Sequence, residues 1–344
     1  MKILVVNNAV PFIRGGAEAL AETLTENINK LPNLEAELMR IPFKWDPSER
    51  LLDEVLLARQ LRLVNVDRVI ALKFPAYLIE HTHKTIWLLH QFRQAYDLRD
   101  PAGPPFGDPN HGAAILEVIQ NADNEAFTRC RALFTNSPVT RERLRRFNGF
   151  SAEILYPPLN DAEQFFNESF SKYVFAGGRV GPGKRQHLLI EAMRDVKGLK
   201  LIIAGPPDDP SYAAKLGQMI ELYDLKDKVD LRLGFRPRHE IAELVNNSTA
   251  CAYLPVDEDS LGYVTMEAAE AGKPMLTVSD AGGLLEIVQD DVTGIVSHPD
   301  AQSIALALNG LVHEHRCRRL GKQLRERWKA MNINWSHVLT RLIG

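Results

Sequence analysis

PVDEDSLGYVTMEAAEAGKPMLTVSDAGGLLEIVQDDVTG, Pro255 to Gly294, holds a cluster of acids, a glycine turn, a helix, a strand and a second glycine turn in one run. The apolar stretch that leads into it, TACAYLP (Thr249–Pro255), is short and sharply bounded, as a buried parallel strand is. After Gly262, the residues Val264, Met266, Ala268, Ala269 and Ala271 suit a helix that Gly272 and Pro274 stop. Asp259 to Tyr263 therefore falls where a strand's carboxyl end becomes a helix's amino end. Open α/β sheets bind their ligands at such places.

The opening amides of that helix lack partners and carry partial positive charge, which suits an anion such as a phosphate. Gly262 lets a ligand come close to the backbone. Glu267 lies about one turn in, too deep to cap these amides, but it can accept hydrogen bonds from a diol such as a ribose. A plainer reading, with Asp259 as the helix cap and Glu267 as a solvated residue, stays open on spacing alone.

Composition narrows the rest. The chain has 344 residues, 45% hydrophobic and 25% charged, enough for two domains of an ordinary soluble protein. Its formal net charge of −3 lacks the basic excess of a general nucleic-acid binder. Cys130, Cys251 and Cys317 form neither a metal motif nor a disulfide framework, which fits a reducing compartment. MKILVVNNAV at the start reads as a strand rather than a signal peptide, and no apolar run nears the ~20 residues that span a bilayer. The expectation is a cytoplasmic protein, at most peripheral to a membrane.

Strands are expected at Lys2–Asn7, Glu35–Ile41, Val66–Leu72, Thr85–His90, Ala132–Asn136 and Glu153–Tyr156, with helices filling much of the space between them. Gly15 and Gly16, in the loop from Pro11, open a helix marked by Ala17, Leu20, Ala21, Leu24, Ile28 and Leu31. This is a second bare helix start, or simply a tight turn. Ser137 to Phe147 is helical, with Arg141, Arg143, Arg145 and Arg146 on a solvated face. Tyr96 to Asn110 is a long Pro- and Gly-rich loop suited to shaping an acceptor pocket. After Pro157 and Pro158 a second alternation begins: KYVFAGG, helix 184–196, KLIIAG, helix 211–223, VDLRLG, helix 239–246 and TACAYLP. Repeated βα units imply parallel sheets covered on both faces. Helices at Gln302–His313 and about Arg316–Ile343 end the chain, the last with Trp335, Val338, Leu339 and Leu342 on one side. The divisions are 1–160, 161–330 and 331–344, the final helix seeking cover on the first domain.

Gly178 to Lys184 matches the first positions of a phosphate-binding P-loop between a strand and a helix. The match fails at Arg185, where a Ser or Thr should ligate Mg²⁺, and Pro182 removes a backbone donor. An ATPase is therefore disfavoured. Arg179 and Lys184 instead follow one strand end, and Asp259–Tyr263 follows another in the same half. Two cations beside a helix start can hold a diphosphate without metal and stabilise it as it departs from a sugar. Asp257-Glu258-Asp259 contains an Asp-x-Asp of the kind that elsewhere holds a divalent ion, but it runs straight into a helix start.

DEDSLGYVTMEAAEAGKP, with SDAGGLLEIVQDDVTG after it and GGRVGPGKRQHLLIEA before it, closely resembles the retaining glycosyltransferases of family 4, of GT-B fold. RGGAEALAETL and LLHQFRQAYDL resemble first-domain segments of bacterial members. The resemblance implies two Rossmann-like, doubly wound domains facing a cleft, the second holding a nucleotide-diphosphate sugar and the first an acceptor. It implies that Arg179 and Lys184 bind the diphosphate with the amides of Gly262, Tyr263, Val264 and Thr265 and the Gly15-Gly16 turn. Glu267 matches the second acid of the family's Glu-x7-Glu motif and would hold the ribose, Phe235 and Arg236 would receive the base, and His90 would lie near the transferred sugar. Counting back from Glu267 reaches Asp259 instead of glutamate, so either Asp259 serves as the first acid or a bulge brings Glu258 into place. The implied reaction is metal-independent, retaining sugar transfer to a glycan or glycolipid hydroxyl in cell-surface polysaccharide or glycolipid synthesis. No metal or other cofactor and no nucleic acid are implied, and peripheral membrane contact is compatible. A nucleotide-sugar epimerase and a catalytically silent binder remain alternatives.

Overall fold

The computed structural model describes residues 1–12, 15–44 and 46–344. Arg14, the first residue of RGGAEALAETL, and Ile13 of the same loop lie outside the described residues. The chain divides into two compact units, Met1–Pro158 with Ile333–Gly344, and Leu159–Asn332.

In unit 1 the elements are β1 (Lys2–Ala9), α1 (Gly16–Asn29), β2 (Glu35–Pro42), α2 (Leu51–Gln60), β3 (Arg68–Ala71), β4 (Lys84–Leu88), α3 (Gly112–Arg129), β5 (Ala132–Thr135), α4 (Pro138–Asn148) and β6 (Glu153–Ile154). The six strands form one parallel sheet in the order β2-β1-β3-β4-β5-β6. Strand side chains alternate between faces, and the sequence loads both. Val6, Val69, Ala71, Ile86 and Leu88 enter a core with Val55 of α2, Ile119 of α3 and Leu144 of α4. Their chain neighbours Val5, Ile70, Leu72, Trp87 and Leu89 enter the opposite core, with Leu20 and Leu24 of α1. Burial on both sides is why these strands read as apolar runs. Trp87 is fully buried and donates its indole N–H to the Leu155 carbonyl at 2.8 Å.

Several buried polar groups of this unit are paired. Buried Asp123 accepts the hydroxyls of Tyr77 at 3.0 Å and Tyr96 at 2.8 Å. Arg143 is a correction to the solvated Arg face: it is buried, with its Nε 3.4 Å from Asp97. The loop before α3 is tied at its end by Asp108, which accepts the amides of Asn110 at 2.9 Å and His111 at 3.0 Å.

Unit 2 contains β7 (Tyr173–Gly177), α5 (Gln186–Ala192), β8 (Lys200–Gly205), α6 (Pro210–Leu222), β9 (Val229–Leu233), α7 (Arg238–Asn247), β10 (Ala250–Ala252), α8 (Tyr263–Ala271), β11 (Met275–Val278), β12 (Gly294–Ser297), α9 (Ala301–Gly310) and α10 (Glu314–Ala330). Its parallel sheet runs β12-β11-β10-β7-β8-β9, so the strand order reverses between β7 and β10. That reversal opens a crevice beyond the carboxyl ends of those two strands. β10 is shorter than the TACAYLP run, and Tyr253 to Pro255 already belong to the crevice edge.

The continuous final helix expected from about Arg316 is broken. Asn332 adopts φ +49, and Asn334 caps a separate α11 (Trp335–Ile343) by accepting the His337 amide at 2.9 Å. Val338, Leu339 and Leu342 of α11 join Ile3, Val5 and Leu24 in a core of unit 1.

Candidate active site

The site is built from three loops of unit 2. The first leaves β7. Its Pro182–Lys184 segment is a 3-10 turn, and Arg185 stands at φ +52, so helix α5 begins only at Gln186. This corrects the expected start at 184 and puts Lys184 on the turn. Gln186 fixes the loop from beneath, donating to the Arg179 carbonyl at 3.0 Å and accepting the Gly181 amide at 3.3 Å. Arg185 explains the failed P-loop position: its guanidinium makes two bonds to Asp280, at 2.9 and 2.7 Å, and donates to the Leu254 carbonyl at 2.9 Å. It braces the ends of three strands where an ATPase would hold magnesium.

The second loop, Tyr253 to Gly262, carries the acids. Val256 N–H donates to the Gly183 carbonyl at 3.0 Å, docking it on the first loop. The third loop, after β11, holds its other side: Asp257 N–H donates to the Asp280 carbonyl and Glu258 N–H to the Ala281 carbonyl, each at 2.9 Å. Gly282 lies at φ +82, and a Cβ there would stand 2.4 Å from the Glu258 nitrogen. Only glycine permits this approach.

So placed, the Glu258 carboxylate meets the Lys184 ammonium and accepts the Tyr253 hydroxyl at 2.7 Å. The ammonium also lies 5.1 Å from the Tyr253 ring centroid, within cation–π range. Burial pushes the Glu258 carboxyl up, but Lys184, the Tyr253 hydroxyl and the Arg179 charge more than offset it, and its pKa falls below the ordinary range. Arg179, nearly half exposed, pairs with Asp208 at 3.1 Å. Asp257, just before Glu258, has φ +45, a left-handed kink ahead of the acid. Asp259 is half-buried and contributes to the field that raises the Tyr253 hydroxyl's pKa, an effect led by burial.

α8 starts from Gly262 at φ +73 with no side-chain cap. Asp259 is therefore not its cap. The Thr265 amide is engaged with the Gly262 carbonyl at 3.1 Å, which removes it from the expected set of anion donors and leaves Gly262, Tyr263 and Val264 in it. Glu267, four residues into α8, is buried instead of solvated and pairs with Arg238 at the start of α7. Phe235 stands three-quarters exposed in the loop after β9. Beside it, Arg236 reaches Glu240 at 3.6 Å and keeps a buried Nε that has no partner among the described residues.

Unit 1 holds the remaining candidates. The Gly15-Gly16 helix start is not bare: Gly15 N–H donates to Glu18 at 2.9 Å, and Glu18 pairs with Lys73 at 3.0 Å. An anion there would meet a carboxylate already in place. His90 follows the end of β4, half-buried, with Nδ1 2.6 Å from the Gln91 carbonyl. A carbonyl only accepts, so Nδ1 carries the proton and Nε2 presents its lone pair in the neutral ring. Among the described residues no group of three or more His, Cys, Asp or Glu is arranged to hold a metal ion, and no helix is long and apolar enough to cross a membrane.

Tyr253 and Arg238 went unread in the sequence. Tyr253 was absorbed into an apolar strand, and Arg238 carried only the weak signal of a cation just after Pro237 at a helix start.

Residues 160–331, half of the chain, match the family model of glycosyl transferases group 1. Alpha-maltose-1-phosphate synthase of Mycolicibacterium smegmatis is 30% identical over 162 residues, which cover 44% of this chain but only 41% of that protein's length. Among solved structures, Anabaena HepE with UDP and glucose has a TM-score of 0.71 at 17% identity, covering 100% of this chain and 98% of its own. Sucrose-phosphate synthase of Thermosynechococcus elongatus has a TM-score of 0.77 at 16% identity, covering 99% and 96%. At such identities the structural likeness is one of fold, the GT-B fold. With the family model spanning unit 2 and its acid-lined crevice, the chain belongs to the group 1 glycosyl transferases.

Proposed function

We propose that the protein transfers a sugar from a nucleotide-diphosphate donor to a hydroxyl of a glycan or glycolipid acceptor, with retention and without a metal ion. The observation that carries this reading is the placement of Lys184 and Arg179 beside the uncapped start of α8 at the strand-order reversal. Each cation is neutralised by an internal carboxylate, Glu258 or Asp208, so the site stores positive charge that a diphosphate can claim. As the sugar–oxygen bond breaks, charge gathers on the leaving diphosphate. Fixed cations and amides stabilise that change more than the ground state.

Glu267 takes the ribose hydroxyls, and the loop at Phe235 and Arg236 takes the base. Unit 1 is assigned the acceptor, with His90 toward the transferred sugar. Glu258 is committed to Lys184 and Tyr253, which makes it a poor nucleophile and favours front-face substitution over a covalent intermediate. The same commitment weakens the case for a metal on the acidic run. Cell-surface polysaccharide or glycolipid synthesis is the setting we assign.

A thermal-shift series with UDP, GDP, ADP and their sugars tests this reading. HepE, solved with UDP and glucose, puts UDP first. A nucleotide at 100 times its Kd adds ~2.7 kcal/mol to the folded state, a readily measured rise in Tm. No rise with any of them would overturn the donor reading. Donor isomerisation without acceptor would make the protein an epimerase, and binding with neither transfer nor hydrolysis would make it a silent binder.

A further inference from the structure

Arg238 faces two ways. On one side its Nη1 pairs with Glu267, whose side chain is only 5% exposed. On the other, Nη2 donates to the Asn160 carbonyl at 3.3 Å, Nε lies 3.9 Å from Asp161 Oδ2, and the guanidinium sits 4.6 Å from the Phe165 ring centroid. Asn160, Asp161 and Phe165 belong to the connector with which unit 2 begins after Pro158. That connector is otherwise a short 3-10 turn, Ala162–Gln164, held by Asn246, which donates to the Gln164 carbonyl at 2.8 Å and accepts the Phe166 amide at 2.9 Å.

We propose that Arg238 is a positioning residue that ties the ribose-binding carboxylate to this connector, so that a nucleotide in the donor site orders residues 160–165. The proposal rests on the donor reading above. The Arg238 side chain is about one-third exposed, so water still screens its pair with Glu267. A ribose diol hydrogen-bonded to Glu267 covers that pair, displaces the water and fixes the carboxylate plane. The guanidinium is then held harder, and with it the contacts to Asn160 and Phe165. Coupling of this kind is reciprocal: pulling the connector away withdraws Arg238 and loosens the nucleotide. Arginine suits the task because one planar group stacks on Phe165 while its edges serve Glu267 and Asn160, a geometry that lysine does not reproduce.

Hydrogen–deuterium exchange on the full chain, with UDP, GDP and ADP added in turn, is the test. The nucleotide that raises Tm is expected to slow exchange in peptides covering 178–186, 258–266 and the connector 159–166. In Arg238→Met the first two remain protected by saturating nucleotide, the connector does not, and the Kd for the nucleotide rises about tenfold. Wild-type protection at 178–186 and 258–266 with an unchanged connector overturns the inference and leaves the donor site standing. Equal connector protection in Arg238→Met overturns it too. The wild-type comparison decides by itself if that variant does not fold. Absence of protection everywhere, with no Tm rise, removes the donor reading and this inference with it.

Discussion

The Tyr253 hydroxyl donates to the Glu258 carboxylate at 2.7 Å, and that bond fixes the acid against the Lys184 ammonium. Three residues from two loops thus form one charge-balanced unit at the end of β10. The arrangement makes Lys184 a cation held ready, its charge compensated until a stronger anion arrives.

Removing that cation should cost turnover. Lys184→Ala, and separately Arg179→Ala, are expected to lower kcat at least about tenfold, ~1.4 kcal/mol of transition-state stabilisation. Steady-state assay with the donor identified by thermal shift checks this, and wild-type turnover in both variants would exclude them from the reaction.

Chelation should not abolish activity. Assay after EDTA treatment and buffer exchange is expected to match the untreated enzyme, because in the proposed mechanism Lys184, Arg179 and the α8 amides supply the charge that a metal otherwise would. Loss with EDTA and recovery with Mn²⁺ would assign the acidic run Asp257–Asp259 to an ion.

Gly282→Ala should loosen the acid loop. A non-glycine residue at positive φ costs about 1–3 kcal/mol, and the new Cβ would also press on the Glu258 backbone. Urea unfolding should show a loss of at least about 2 kcal/mol, with weaker nucleotide binding.

Asp123 should make unit 1 less stable toward neutral pH. Burial raises its carboxyl to about 7, against the downward pull of the Tyr96 and Tyr77 hydroxyls. The folded state keeps a proton that the unfolded chain releases near pH 4. The stability this provides is full below about pH 4 and is lost as pH rises through about 7. Urea midpoints at pH 5 and pH 7.5 should differ less in Asp123→Asn than in the wild type.

The strands of both sheets were legible because parallel strands are buried on both faces and read as bounded apolar runs, LVV in β1 and LII in β8 among them. The glycine turns and the cations Arg179 and Lys184 were legible from their place between strand and helix. What escaped was set by contacts between segments far apart in the chain. Arg185 meets Asp280, Arg238 meets Glu267, and Glu18 meets Lys73, and no local pattern announces any of these pairs. The burial of Glu267 belongs to the same class: a helical glutamate looks solvated until an arginine from the neighbouring helix is placed over it. The break before α11 had a local signal in Asn332 and Asn334, masked by apolar periodicity on either side.

The packing of α11 into the core of unit 1 has a consequence for the order in which the protein is made. Leaving the ribosome, residues 1–158 emerge ahead of residues 159–344 and so lack the segment that covers Ile3, Val5 and Leu24. All of unit 2, one continuous stretch, is translated before that cover arrives. The nascent N-terminal half therefore waits with an open apolar face, and a shortened chain lacking the last dozen residues would keep that face exposed to chaperones and proteases.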